Sequence, residues 1–384
     1  MKKKIVSAVL AAIMLTASAC GNGGASASST VTVSPISISE TPVSVSTSDK
    51  EPEPAPQVEV IPEGMYRSEL TNEIISKDIE TQRPIAVMVD NESTALPHYG
   101  TTKSDIVYEM VNSNINGRIT RLMCIIKDWK NITEFGNVRS LRPTNVIIAP
   151  EYNAIVIHDG GPFWINDWLA MKNAKQHLNG GFARIDRGKA GFYEEFITVN
   201  DYKGVGEYAG NSYKGLETKI KNAGYETEYN EFYLGKHFVF AEKEHANEDY
   251  SDAVTAKTVE LPFPHNKSTL KYNEKTKTYD YYEYDKLYKD AIDDAVMSFK
   301  NLIIYEAKLE PYEPLSDGYM IYNAINSGEG YFITNGNAIP IQWSKANMEE
   351  ITVFSKDGYP IYLNTGKTYI ALVPSDSWDD VVMK

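Results

Sequence analysis

Two arginines three positions apart, and a histidine that closes a short apolar run, are the residues of this chain whose types and spacing suit chemistry. Arg139 and Arg142 stand in GNVRSLRP, residues 136–143, and EYNAIVIHDGG follows at 151–161. Guanidinium groups present planar forks that hold a carboxylate or phosphate through paired N–H donors. His158 is a candidate general acid or base. Asp159, Gly160 and Gly161 come next, and glycine permits the sharp turn such a sequence needs. Pro162 suits the first position of a helix, so the amphipathic run WINDWLAMK is expected to be helical. Its N-terminus would place free N–H groups beside the two arginines. A plainer chemistry is open to the same residues. Arg139 and Arg142 could form ion pairs with Asp90, Glu109 or Asp159, and His158 could be a satisfied group at the end of a buried strand.

The elements that must position these groups can be read from apolar patterning. Ile85–Val89 is a β-branched run ended by the turn formers Asp90 and Asn91. Asp105–Val111 and Arg118–Lys127 read as a hairpin around Asn112–Gly117. Within it Glu109 alternates with Val107 and Val111, and Arg121 with Met123 and Ile125. A lone charge on an apolar face is costly, so a register that sets Glu109 opposite Arg121 is expected. Asn153–His158 is a further strand, and its exit into a glycine turn is where open α/β sheets bind ligands. Pro143 holds Arg142 extended. Guanidinium groups from one or both arginines are therefore expected within a few ångströms of the His158–Gly161 turn, at the rim of a pocket. The candidate ligand-binding set is Asp90, Asn91, Glu109, Arg121, Arg139, Arg142, His158, Asp159, Gly160 and Gly161.

Several other chemistries find no support. The six histidines show no metal-ligand spacing, and neither a dinucleotide fingerprint nor a nucleophile elbow occurs, so no metal or cofactor is expected. Thr365-Gly366-Lys367-Thr368 resembles the end of a phosphate loop, but Ile361 stands where the loop requires glycine, and the following residues read as a strand. Cys124 lies in the apolar run Leu122–Ile126 and reads as a buried thiol. The formal net charge of −14 argues against nucleic acid as a partner.

The start of the chain speaks of location. Lys2–Lys4 and the apolar stretch Ile5–Leu15 form a signal-peptide pattern, and Ala17-Ser18-Ala19-Cys20 resembles the bacterial lipobox, which makes Cys20 the expected site of lipidation. Residues 21–65 are rich in Ser, Thr and Pro and read as a disordered tether. Two folded domains are expected beyond it, over 66–225 and 226–384. In the second, Asn335-Gly336 and Asp357-Gly358 mark hairpin turns between short strands.

PIAVMVDN at 84–91, SDIVYE at 104–109, ITRLM at 119–123, GNVRSLRP and EYNAIVIHDGG together resemble the YerB-like lipoprotein family, as do GYFITNGNAIPIQW and YLNTGKTYIALVP in the second half. The resemblance implies two domains of unknown function on a surface lipoprotein of a Gram-positive bacterium, held at the extracytoplasmic face of the membrane. It also implies a mixed α/β (α+β) fold: a layered sheet with flanking helices in the N-terminal domain and a strand-rich C-terminal domain. The chain departs from the family at Phe192–Phe196, where Tyr193-Glu194-Glu195 stands in place of a Pro-His-Asn segment. Two functions follow as expectations. One is a non-catalytic protein that binds an anionic wall polymer or an envelope partner. The other is a hydrolase of a phosphodiester or glycan that uses His158. No second catalytic group stands at defined spacing, which favours binding.

Overall fold

A computed structural model describes residues 60–115, 117–162, 165–312 and 318–384. The signal peptide, Cys20 and the tether as far as Glu59 lie outside the described residues. The described residues, from Val60 to Lys384, belong to one compact unit.

The architecture is mixed α and β, with strands predominating. The strands that matter here, in chain order, are β1 (Ile85–Asp90), β2 (Ile106–Val111), β3 (Thr120–Ile126), β4 (Ile155–His158), β5 (His177–Asn179), β6 (Thr258–Glu260), β7 (Thr269–Asn273), β8 (Thr278–Glu283), β9 (Asn301–Ala307), β10 (Ser327–Thr334), β11 (Asn337–Ser344), β12 (Val353–Lys356), β13 (Tyr359–Pro360), β14 (Thr368–Pro374) and β15 (Val382–Met383). A single sheet runs β13-β12-β11-β10-β9-β14-β2-β3-β1-β4-β5, with Val254–Thr255 added beside β11. Strands β6, β7, β8 and β15 belong to a second sheet. Its Leu270, Tyr279 and Tyr281 enter the same core as Tyr369 of β14.

Every residue of β1, β2, β3 and β14 is buried. That explains why these strands read as continuous apolar runs: a strand covered on both faces has no wet side to mark with polar residues. The charged residues in them, Asp90, Glu109 and Arg121, therefore need partners inside the protein.

The boundary expected near residue 225 falls within one sheet. Strand β14 lies between β9 and β2 and is parallel to both, so the two halves of the chain share hydrogen-bonded strands at its centre.

Two local expectations need correction. The β2–β3 register sets Glu109 opposite Leu122 and Met110 opposite Arg121, one residue away from the expected pairing. A slip of one residue moves a side chain to the other face of the sheet, so Glu109 and Arg121 do not neutralise each other. The run expected to be helical after Pro162 is helical over Ile165–Leu169 (α2, following α1, Pro143–Ile148), with Pro162 itself outside the helix; the described stretch is too short to align the peptide dipoles that would make an anion site.

Candidate functional site

Asp90 ends β1 directly opposite Arg121 on β3. The next segment, 138–141, lies across the ends of β1 and β4. Arg139 N donates to Met88 O at 2.8 Å, Asp159 N donates to Arg139 O at 3.1 Å, and Leu141 N donates to Gly160 O at 3.2 Å. Arg142 is extended, at φ −130° and ψ 160°, and Pro143 opens α1. The restriction imposed by proline on its predecessor is thus observed.

This backbone gathers three guanidinium groups. Arg139 Nε donates to Asp90 Oδ2 at 2.5 Å, and Arg121 NH2 lies 3.5 Å from the same oxygen. Arg121 NH1 donates to Ser140 O at 2.8 Å and Arg142 NH1 to Leu141 O at 2.9 Å. Aromatic rings bound the cluster. The Arg139 guanidinium carbon lies 5.1 Å from the Phe192 ring and 5.7 Å from that of Tyr193, and the Arg142 carbon lies 4.9 Å from the Tyr319 ring. Stacking of this kind orients a guanidinium plane. Two donors, Arg121 Nε and Arg142 Nε, are buried with no hydrogen-bond partner.

Electrostatics follow from the count. Burial alone would raise the Asp90 carboxyl; Arg121 and Arg139 outweigh it and hold Asp90 below the usual carboxylate range. Burial pulls Arg142 down, and the repulsion of Arg121 and Arg139 takes it further, to about 9. Burial lowers Arg121 as well, against the pull of Asp90. A guanidinium does not give up its proton in a protein, so three positive charges face one carboxylate, a surplus of two among the described residues.

The other candidate residues go elsewhere. His158 is fully buried. Its Nδ1 lies 2.8 Å from Gly160 O and its Nε2 lies 3.0 Å from His177 Nδ1. A carbonyl only accepts, so Nδ1 carries the proton and Nε2 accepts from His177. Burial pushes its pKa down to about 4. With both nitrogens engaged, the ring is a neutral brace for the turn, and the acid–base role expected of it has no free nitrogen to act through. Gly160 takes the left-handed φ of 73°. At Gly161 an added Cβ would come within 2.9 Å of Ile165 Cγ2.

Asp159 turns to Arg184, whose NH2 lies 3.2 Å from Asp159 Oδ2 and 2.6 Å from Glu195 Oε2. Burial, with the hydrogen bond to Asp159, pushes the Glu195 carboxyl up to about 8. The two acids share one guanidinium. Neither Arg184 nor Glu195 was a candidate from sequence. Tyr193-Glu194-Glu195 stood out only as a departure, and nothing local pointed to Asp159.

Asn91 and Glu109 form a separate cluster. Glu109 accepts from Thr120 Oγ1 and Ser268 Oγ, each at 2.6 Å, from Tyr369 OH at 2.5 Å, from Tyr281 OH at 2.9 Å and from Asn91 Nδ2 at 3.4 Å. Burial raises its pKa and the hydroxyl donors lower it. Beside it Glu283 is buried, and its pKa is held far above normal by burial and by the charge of Glu109. This cluster ties the two sheets together.

The expected pocket is not where the glycine turn was to place it. The turn is met by the backbone of Ser140 and Leu141, and the guanidinium groups point to Asp90 and to Leu141 O. No candidate residue lines any of four cavities of about 950, 460, 390 and 320 Å3. The arginine site is half-buried, and Phe192, 48% exposed, stands at its edge.

Comparison with known proteins adds a family. A model described as the N-terminal domain of a protein of unknown function (DUF3048) matches residues 70–225, and its C-terminal counterpart matches 259–370. The chain is 26% identical over 308 residues to "Putative lipoprotein YerB" of Bacillus subtilis (strain 168), covering 80% of this chain and 86% of the relative. A crystal structure of the YerB protein from Bacillus subtilis shares the fold, with a TM-score of 0.67 at 22% identity, over 83% of this chain and 99% of that one. With both domain models matched in order and a relative that spans most of its length, the chain belongs to the YerB-like DUF3048 family.

Proposed function

We propose that this protein is a lipid-anchored binding protein of the cell envelope, which holds an anionic group of a wall component or partner protein at Arg121, Arg139 and Arg142. The observation that carries the reading is the surplus of two positive charges in a half-buried site with unpaired N–H donors. Charges are costly to bury unless something compensates them. Arg139 and Arg142 also fit what an anion needs geometrically, being held on aromatic faces with parts of their forks unused. The engaged nitrogens of His158 weigh against a hydrolase that depends on it.

The anchor rests on sequence. A lipobox-like motif ends at Cys20, and a relative carries lipoprotein in its name. Attachment to the extracytoplasmic face of a Gram-positive membrane accords with both. Cys20→Ala should appear in the soluble fraction with an unchanged melting curve; its retention in carbonate-washed membranes would rule the anchor out.

For the site, the double variant Arg139→Gln/Arg142→Gln is titrated with purified anionic wall-polymer fragments by calorimetry, beside a thermal melt. Asp90 keeps Arg121, so the melt should shift by the equivalent of about 1–2 kcal/mol while binding disappears. A collapse in stability with binding intact would assign these arginines to structure alone.

A further inference from the structure

Resting on the anion-binding reading, we infer that the group bound at Arg121, Arg139 and Arg142 is a doubly charged phosphate, as in a phosphomonoester, and not a phosphodiester or a carboxylate. The argument is one of charge and of donors. Asp90 cancels one of three guanidinium charges, being bonded to Arg139 and lying 3.5 Å from Arg121. Among the described residues two charges are left over, and their partial burial weakens screening by water. A monoanion would leave one charge uncompensated, whereas a dianion closes the account.

The free hydrogen-bond donors match. Arg139 uses Nε on Asp90, and Arg142 uses NH1 on Leu141 O. Among the described residues no hydrogen bond is made by the terminal nitrogens of Arg139 or by NH2 of Arg142, and the buried Nε of Arg142 and of Arg121 have no partner. These are N–H groups from three side chains. A tetrahedral phosphate with three terminal oxygens can accept from several at once; a carboxylate offers two oxygens in one plane, and a diester has only two that are unsubstituted. The guanidinium carbons of Arg139 and Arg142 lie over the rings of Phe192, Tyr193 and Tyr319, contacts that hold the cations without using their N–H donors on oxygen acceptors.

The source of the group is either free phosphate or the terminal phosphate of a larger envelope molecule. Both share this chemistry. The experiment uses the protein without its leader and tether, residues 60–384, which include the whole compact unit. Calorimetric titrations slightly above neutral pH employ inorganic phosphate, a sugar 1-phosphate, dimethyl phosphate and acetate. The dianions should bind at least about tenfold more tightly than dimethyl phosphate or acetate. That preference should fade as pH falls through about 6, where a phosphomonoester takes up its second proton. Tighter binding of the sugar phosphate than of inorganic phosphate would identify a larger molecule as the source; the reverse would identify the free ion. Arg142→Gln should reduce the preference to within about twofold. Arg142→Lys keeps the charge and should retain part of it, which separates a lost charge from a damaged fold. Equal affinity for monoanions and dianions, lost in the arginine variants, would overturn the dianion assignment and leave an anion site. No binding of any probe would overturn both readings, as would phosphate binding indifferent to Arg139→Gln and Arg142→Gln, which marks an adventitious ion only.

Discussion

Glu195 keeps a proton at neutral pH that a solvated glutamate would have lost. Burial and the neighbouring Asp159 raise its folded-state pKa from 4.5 to about 8. Between these values the folded protein holds a proton that the unfolded chain does not, so stability falls as pH rises through that window. Below the lower value the contribution is complete, and above the upper value it is gone. Glu195→Gln cannot ionise and should lack this loss. From pH 5 to pH 8 the wild type should lose on the order of 3 kcal/mol relative to the variant, read from denaturant unfolding at both pH values. His98 and His158, each held down to about 4 by burial, act in the opposite sense: they cost stability as pH falls from 6.5. Being present in both proteins, they cancel in the comparison. Parallel pH profiles would show that Glu195 does not carry the proton. Sequence disclosed Arg139 and Arg142 because two arginines before a proline are locally distinctive. It could not disclose that Asp159 belongs to Arg184 and not to them, since that choice depends on where residues 184 and 195 arrive in space.

The register of one hairpin decides which chemistry each charged residue meets. Strand β3 is fixed by two neighbours, β1 and β2, so no single pair of side chains could set it. The result places Arg121 with Asp90 and turns Glu109 toward the second sheet. Four of the donors to Glu109 come from Thr120, Ser268, Tyr281 and Tyr369, on or beside β3, β7, β8 and β14. Removing the acceptor strands buried hydroxyls from both sheets. Glu109→Ala should therefore cost roughly 3 kcal/mol or more, measured by urea unfolding, while Arg139 and Arg142 remain in place. A loss below about 1 kcal/mol would mean that the cluster relaxes or admits water. The apolar runs of β1, β2, β3, β4 and β14 were legible because buried strands are marked by composition alone. The partners of Glu109 were not, because Tyr281 and Tyr369 lie 172 and 260 residues away in the chain. No periodicity reaches that far.

At the scale of the whole molecule, the two matched domain models describe sequence, while the sheet runs through both. Strand β14 is parallel to β2 on one side and to β9 on the other, and its seven residues are all buried. Residues 60–225 expressed alone would expose the edge of β2 to solvent, and residues 226–384 alone would leave β14 with one neighbour. Neither fragment should give the near-ultraviolet circular dichroism of the intact body, and the intact body should unfold in a single transition. Two separate transitions, or a folded fragment, would restore the boundary near residue 225. Sequence indicated that both halves hold strands; the order in which they assemble is set by pairings between residues hundreds of positions apart.

If the chain is exported as the proposed anchor requires, that placement has a consequence for a thread made from one end. When β2 has emerged on the far side of the membrane, the strand that completes its sheet is still some 260 residues behind. Until it arrives, β2 has an open edge able to capture other extended chains. A nascent molecule stalled in the translocation channel before residue 368 should thus be the species that recruits chaperones or quality-control proteases, and a nonsense codon just ahead of β14 should deplete the protein at the surface as thoroughly as one near its start.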